Sequence, residues 1–83
     1  MVAVEAEYPY ALGDEVVVNL AGVAVFDVDA AAPVPGSSLP DWIIGVVRGS
    51  GAASAGARYV ITYSHHGRRC VAIVPARAIE GTA

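Results

Sequence analysis

The hydrophobic residues of this chain recur in short runs with a period of two, which is the spacing of β-strands. Tyr59, Ile61 and Tyr63 alternate with smaller residues, as the side chains of a strand with one buried face do. No stretch has the 3.6-residue spacing of an amphipathic helix. The predicted strands cover residues 15–20, 23–28, 42–48, 58–64 and 70–75, and a short last strand begins at Ile79. We therefore expect an all-β protein of about five strands.

Two stretches consist of turn and loop residues. Residues 29–41 contain three alanines, three prolines, one glycine and two serines, and they predict a long loop. Residues 49–57, GSGAASAGA, contain three glycines and two serines, and they predict a flexible connection rather than a helix. Gly45 interrupts the predicted strand at 42–48, which indicates a bend or a close approach of another part of the chain.

The end of the chain, CVAIVPARAIEG at residues 70–81, has the most informative pattern. Proline fixes its own φ angle and donates no hydrogen bond, so the strand should end at Pro75. The three residues that follow suit a single tight 3₁₀ turn, after which Ile79 can begin the last strand.

The strand before Pro75 has two apolar faces. Cys70, Ala72 and Val74 share one face, and Val71 and Ile73 share the other. Only one face can lie inside a small barrel, so the other should meet something other than water. It is covered either by loops or N-terminal residues of the same chain or by another subunit. We favour a subunit interface formed by Val71 and Ile73.

Composition supports assembly and argues against a nucleic-acid partner. The chain has 83 residues, of which 55% are hydrophobic, and its mean hydropathy is +0.54. A domain of this size has little interior in which to bury that surplus. The net charge is −3, and the one basic cluster is the short segment at 65–69. Nucleic-acid binders usually have an extended positive face.

We expect one cytoplasmic domain with no disulfide framework and no membrane contact. There is one cysteine, and no apolar run approaches the ~20 residues that span a bilayer. Glu5 and Glu7 stand where a signal peptide would need positive charge. Residues 1–10 are predicted to be a flexible N-terminal arm, and residues 11–83 the folded domain.

The order of these features resembles that of the SH3-like barrels. The features that match are the aromatic pair Tyr8 and Tyr10, the segment Gly13-Asp14-Glu15, Trp42 with Gly45, and the segment 74–80. The resemblance implies a five-stranded barrel with a single 3₁₀ turn before its last strand.

In the SH3 family, proline-rich peptides bind between aromatic residues and a proline. The resemblance implies ligand or partner binding at Tyr8, Tyr10, Trp42 and Pro75. Ala78 stands where the family has a tyrosine, so one wall of that groove is missing.

A second resemblance concerns the closing segment. VAIVPARAIE, at residues 71–80, is similar to the segment VQIYPVAALE of the plasmid-borne type II dihydrofolate reductases. That family forms a tetramer around one pore, lined by its Gln-Ile-Tyr. The resemblance implies a homo-oligomer with its final strand at an interface. Ala72 and Val74 replace the polar glutamine and tyrosine, which argues against reductase activity with NADPH.

The remaining candidates for chemistry are weaker. His65 and His66 diverge in an extended chain and, with Cys70, fall short of the four ligands of a structural zinc site. We therefore expect no metal site and no catalytic residue. The turn residues His66, Arg68 and Arg69 form a weak candidate for anion binding.

An aromatic cage of the Tudor kind, which binds methylated residues, remains open. It would require four aromatic side chains to meet at one rim, namely Phe26, Trp42, Tyr59 and Tyr63.

The sequence thus favours a non-catalytic SH3-like module that self-associates and binds a protein or peptide, or serves as an accessory subunit. The alternative is a diverged relative of type II dihydrofolate reductase that uses NADPH in an oligomeric pore.

Overall fold

The computed structural model describes residues 10–53 and 56–83, which form one antiparallel sheet. Its strands are β1 Glu15–Asn19, β2 Val25–Asp27, β3 Ala32–Pro33, β4 Trp42–Ala53, β5 Gly56–His65, β6 Arg68–Pro75 and β7 Ile79–Thr82. Short 3₁₀ turns lie at Gly36–Ser38 and Ala76–Ala78. The all-β class is confirmed. Nowhere in the described part is there a helix that is long and apolar enough to cross a membrane.

The sheet has more strands than expected and it is open. The strand order is β3-β2-β6-β5-β4-β1-β7, so β3 and β7 are edges that do not pair with each other. The prediction of a five-stranded barrel is therefore wrong in strand number and in closure. Six of the seven strands fall on predicted segments, and the seventh is β3, a two-residue segment inside the predicted long loop, which pairs with β2. A local sequence pattern rich in proline does not predict that such a segment pairs with another strand.

The closing segment folds as its sequence predicts. β6 ends at Pro75, the 3₁₀ turn Ala76–Ala78 follows, and β7 begins at Ile79. β7 then pairs with β1, where Val18 lies opposite Ile79.

The prediction of a flexible connection at residues 49–57 is wrong for its described residues. β4 and β5 continue through this stretch as a hairpin, with Ser50 opposite Tyr59 and Gly51 opposite Arg58. A register shift between Val47 and Gly49 precedes it. Glycine, alanine and serine have a low intrinsic preference for strands. The pairing of β4 with β5 in the preceding part of the hairpin already fixes the register, and it overrides this preference.

The core lies on one face of the sheet. The side chains of Cys70, Ala72 and Val74 point into it and are almost fully buried. They pack with the inward residues of the neighbouring strands, Val16, Val18, Val47, Tyr59, Ile61 and Tyr63. The predicted shared face of Tyr59, Ile61 and Tyr63 on β5 is therefore confirmed, and it is the buried face.

Candidate functional site: the outer face of the sheet

The second apolar face of β6 points away from the core. Ile73 is 56% exposed, and Val71 is half-buried. No loop of the described residues covers Ile73. The alternation in β6 therefore sets Val71 and Ile73 outward, as an interface would require, but a partner subunit at this face stays a prediction.

The outward residues of β6 belong to a row of outward side chains, apolar apart from one threonine, that crosses four strands. Phe26 of β2 lies opposite Val71, Val71 lies opposite Thr62 of β5, and Thr62 lies opposite Val46 of β4. Because residues directly opposite each other in a sheet point to the same side, these four side chains share one face.

A second row lies beside the first, where Val60 is directly opposite Ile73. Ile44 of β4 faces the same side as Val46, two residues along the strand. We call the combined surface the outer apolar face, and it consists of Phe26, Ile44, Val46, Val60, Val71 and Ile73.

Three large side chains of the outer apolar face are strongly exposed. Ile73 is followed by Ile44 at 52% and Phe26 at 43%. Ile44 and Val46 also line a shallow depression together with Val28, which is 44% exposed. Single exposed apolar residues are normal, but a contiguous set is typical of an interaction surface.

The residues predicted to bind a peptide do not share one groove. Tyr8 lies outside the described residues. Tyr10 is packed edge-on against the core residue Tyr59, with 5.5 Å between ring centroids. Trp42 is exposed and lines a depression with Leu39 and Pro40. Pro75 lines a different depression, and Tyr10 lines neither.

An aromatic cage is not formed. Tyr59 and Tyr63 are buried in the core, whereas Phe26 and Trp42 are exposed on the surface. The four rings do not meet at one rim, so a methylated-residue site of this kind is excluded for them.

The two arginines of the predicted anion-binding turn already have carboxylate partners. Arg68 Nη1 lies 2.8 Å from Asp27 Oδ2, and Arg69 Nη2 lies 2.7 Å from Asp29 Oδ1. The Arg69 backbone amide also donates to Asp29 Oδ2. These pairs neutralise both guanidinium groups within the chain, so we do not propose anion binding at this turn.

The same contacts lower the pKa values of the two aspartate carboxyl groups. Hydrogen bonds from the Ala30 amide and then from Arg68 hold the pKa of Asp27 below its ordinary value of 3.8. The Arg69 side chain and then its amide lower the pKa of Asp29 in the same way. The two ion pairs connect the end of β2 and the turn after it to the start of β6.

His66 has a backbone role in this turn. Its φ is +53° and that of Gly67 is +77°, while His65 and Arg68 pair on either side. Two consecutive residues with positive φ are the requirement of a two-residue type I′ hairpin turn. The basic segment at 65–69 is thus a β-hairpin whose turn consists of His66 and Gly67.

Cys70 is a core residue, as expected. Burial raises the pKa of its thiol. Tyr63 lies opposite Cys70, and its pKa is raised to about 12, mainly by burial and to a lesser extent by Cys70. Among residues 10–53 and 56–83, no three side chains of the His, Cys, Asp and Glu types come together as a metal site.

The structure bears on the pore residues implied by the reductase resemblance. Ala72 and Val74 are buried in the core of their own sheet, and only Ile73 of the three points outward. The outward surface at this position is therefore apolar and offers no polar side chain from that tripeptide.

Sequence reasoning identified Val71 and Ile73 but missed the rest of the outer apolar face. The signal was present in β4, where Ile43, Ile44, Val46 and Val47 make both faces apolar just as in β6. No local sequence pattern could indicate that Phe26 lies opposite Val71, because the two positions are 45 residues apart in the chain.

Comparison of the chain with protein-family models, with curated proteins and with solved structures found no match. Family membership is therefore not assigned.

Proposed function

We propose that this protein is a non-catalytic interaction module that self-associates through its outer apolar face. The observation that carries the proposal is the apolar row that crosses four strands, with Ile73 more than half exposed. In a chain of 83 residues, leaving this surface in water costs hydrophobic free energy that association would recover.

A second copy of the chain is the favoured partner. The six members of the outer apolar face are uncharged, so they can pack on their own copies about a two-fold axis. Arg48, which is exposed and donates to Thr62, would then lie at the rim of that contact. Two sheets that pack face to face bury such surfaces about 10 Å apart. Charge complementarity with a different protein is not needed.

An SH3-like architecture is part of this proposal. It is supported by the strand–3₁₀–strand closing segment and by the consecutive antiparallel pairing of β4, β5 and β6. The fold argues for a binding module only weakly, because folds of this size serve many functions.

The test is the molar mass in solution of wild type, Val71→Asp and Ile73→Asp, by size exclusion with light scattering. We expect an oligomer for wild type and monomers for both variants, because a buried carboxylate at the interface lacks a partner. Ser64→Asp is the matched control. Ser64 points outward from the same sheet, but it lies opposite Arg69 rather than in the apolar rows.

Two results would contradict the proposal of self-association. One is a monomeric wild type, and the other is a folded Ile73→Asp variant with the wild-type mass. Circular dichroism establishes folding in each case. Saturable NADPH binding or reduction of dihydrofolate would instead overturn the non-catalytic assignment in favour of the reductase alternative.

A further inference from the structure

A depression at the 3₁₀ end of the sheet is lined by two of the three arginines that have no carboxylate partner among the described residues. It lies between the turn after β1, the start of β5 and the turn Ala76–Ala78. We call it the arginine depression, and its polar and large apolar lining residues are Asn19, Arg58, Ile73, Pro75, Arg77 and Glu80.

The cations of the chain divide into two groups. All five are arginines. Arg68 and Arg69 are paired with carboxylates, and Arg48 Nε donates to Thr62 Oγ1 at 3.2 Å. Within residues 10–53 and 56–83, Arg58 and Arg77 form no ion pair. Both line the arginine depression, although they are 19 positions apart in the chain.

The charge of the arginine depression is positive on an acidic protein. Glu80 is the one carboxylate in its lining, and it accepts a 3.4 Å hydrogen bond from Asn19 Nδ2. Two guanidinium groups and one carboxylate leave about one positive charge, whereas the whole chain carries −3. This local excess favours an anionic ligand, because guanidinium forks bind carboxylates in bidentate geometry.

The apolar part of the lining restricts the ligand further. Ile73 is more than half exposed, and Pro75 has no backbone amide to donate. A ligand that fits must therefore present apolar surface next to its negative charge. An extended peptide does this, since its side chains alternate between two directions.

We propose that the arginine depression binds an acidic segment of a partner protein in extended conformation. Carboxylates of the segment contact Arg58 and Arg77, and an apolar side chain packs on Ile73 and Pro75. Charge complementarity is the argument for this partner: the depression offers two arginines that form no ion pair among the described residues, and each can take one carboxylate of the segment. The site shares Ile73 with the outer apolar face, whereas self-association uses neither arginine, so a second copy of the chain and the peptide compete for Ile73.

The experiment measures binding of the blocked peptide Val-Glu-Val-Glu-Val by isothermal titration calorimetry, beside its amide counterpart Val-Gln-Val-Gln-Val. We expect the glutamate peptide alone to bind, and to bind more weakly as salt rises. Arg58→Gln and Arg77→Gln should each weaken binding about tenfold, the loss typical of one charge-assisted hydrogen bond. Arg48→Gln, which removes an exposed arginine outside the depression, should bind as wild type does.

Three outcomes would overturn the proposal. The first is equal or absent binding of the two peptides, and the second is an Arg48→Gln variant that loses as much affinity as the other two. The third is binding only after removal of residues 1–8, which would mean that the chain's own N-terminal residues take the site rather than a partner. The Val71→Asp variant separates the two proposals, since it should stay able to bind the peptide whether or not self-association exists.

Discussion

A single glycine sets how closely β4 approaches β5. Gly45 points into the core, and a Cβ atom built on it would overlap Ile61 Cγ2. It would also lie 3.0 Å from the Thr62 carbonyl oxygen and 3.2 Å from Ile43 Cδ1. Since these neighbours are backbone or packed core atoms, they cannot move away freely.

We predict that Gly45→Ala destabilises the fold by about 1–3 kcal/mol, the usual cost of an overpacked core. The free energy of unfolding from urea titrations provides the measurement. Gly51→Ala is the control in the same strand, because a Cβ there meets nothing within 4 Å. We expect that control to stay within about 0.5 kcal/mol of wild type. Equal effects of the two substitutions would show that the space around Gly45 is not limiting.

At the scale of residues, the sequence predicted what local chemistry decides. A glycine in a strand indicated a close approach, and a proline marked the end of β6. The pairing of Asp27 with Arg68 could not be predicted, because it spans 41 positions and depends on how β2 meets β6.

At the scale of elements, periodicity identified the strands whose faces differ in polarity or whose ends carry a strong breaker. β5 and β6 belong to this group. It failed for the outer half of the β4–β5 hairpin, where alanine, glycine and serine give neither an apolar stripe nor a strand preference. That half extends as strands because its register continues from the paired residues below.

The ion pair between Asp27 of β2 and Arg68 of β6 makes the stability of the fold decrease at acid pH. Asp27 is buried apart from 7% of its surface and accepts hydrogen bonds from Arg68 and Ala30. These bonds lower its pKa in the folded state below that of the unfolded chain. The stabilisation is therefore complete above the unfolded pKa, whose ordinary value is 3.8, and is lost as pH falls through the folded pKa.

We predict that Asp27→Asn lowers the free energy of unfolding at neutral pH and that the difference from wild type shrinks below about pH 4. Urea titrations at several pH values give both quantities. Asp41→Asn serves as the comparison, since the Asp41 side chain is exposed and has no ion pair among the described residues. A difference for Asp27→Asn that is constant with pH would show that its charge has no part in the link.

At the scale of the whole molecule, the open sheet leaves an apolar surface that the core does not use. The sequence predicted its existence from β6 alone, because two apolar faces cannot both be inside. Its extent over β2, β5 and β4 emerged only from the strand order, in which β2 lies beside β6 although 40 residues separate them in the chain. A local pattern holds no information on that neighbour.

Self-association through this surface would make thermal stability depend on protein concentration. Association that favours the folded state stabilises it by mass action, and for a dimer each tenfold rise in concentration contributes about 0.7 kcal/mol per chain. For a chain of this length that corresponds to about 3–5 °C in Tm. We predict this rise for wild type and for Ser64→Asp, measured by calorimetry or circular dichroism over a wide range of concentrations. Ile73→Asp should unfold at the same temperature throughout, because it lacks the interface. A concentration-independent Tm for wild type would mean that the outer apolar face of the folded protein stays in water.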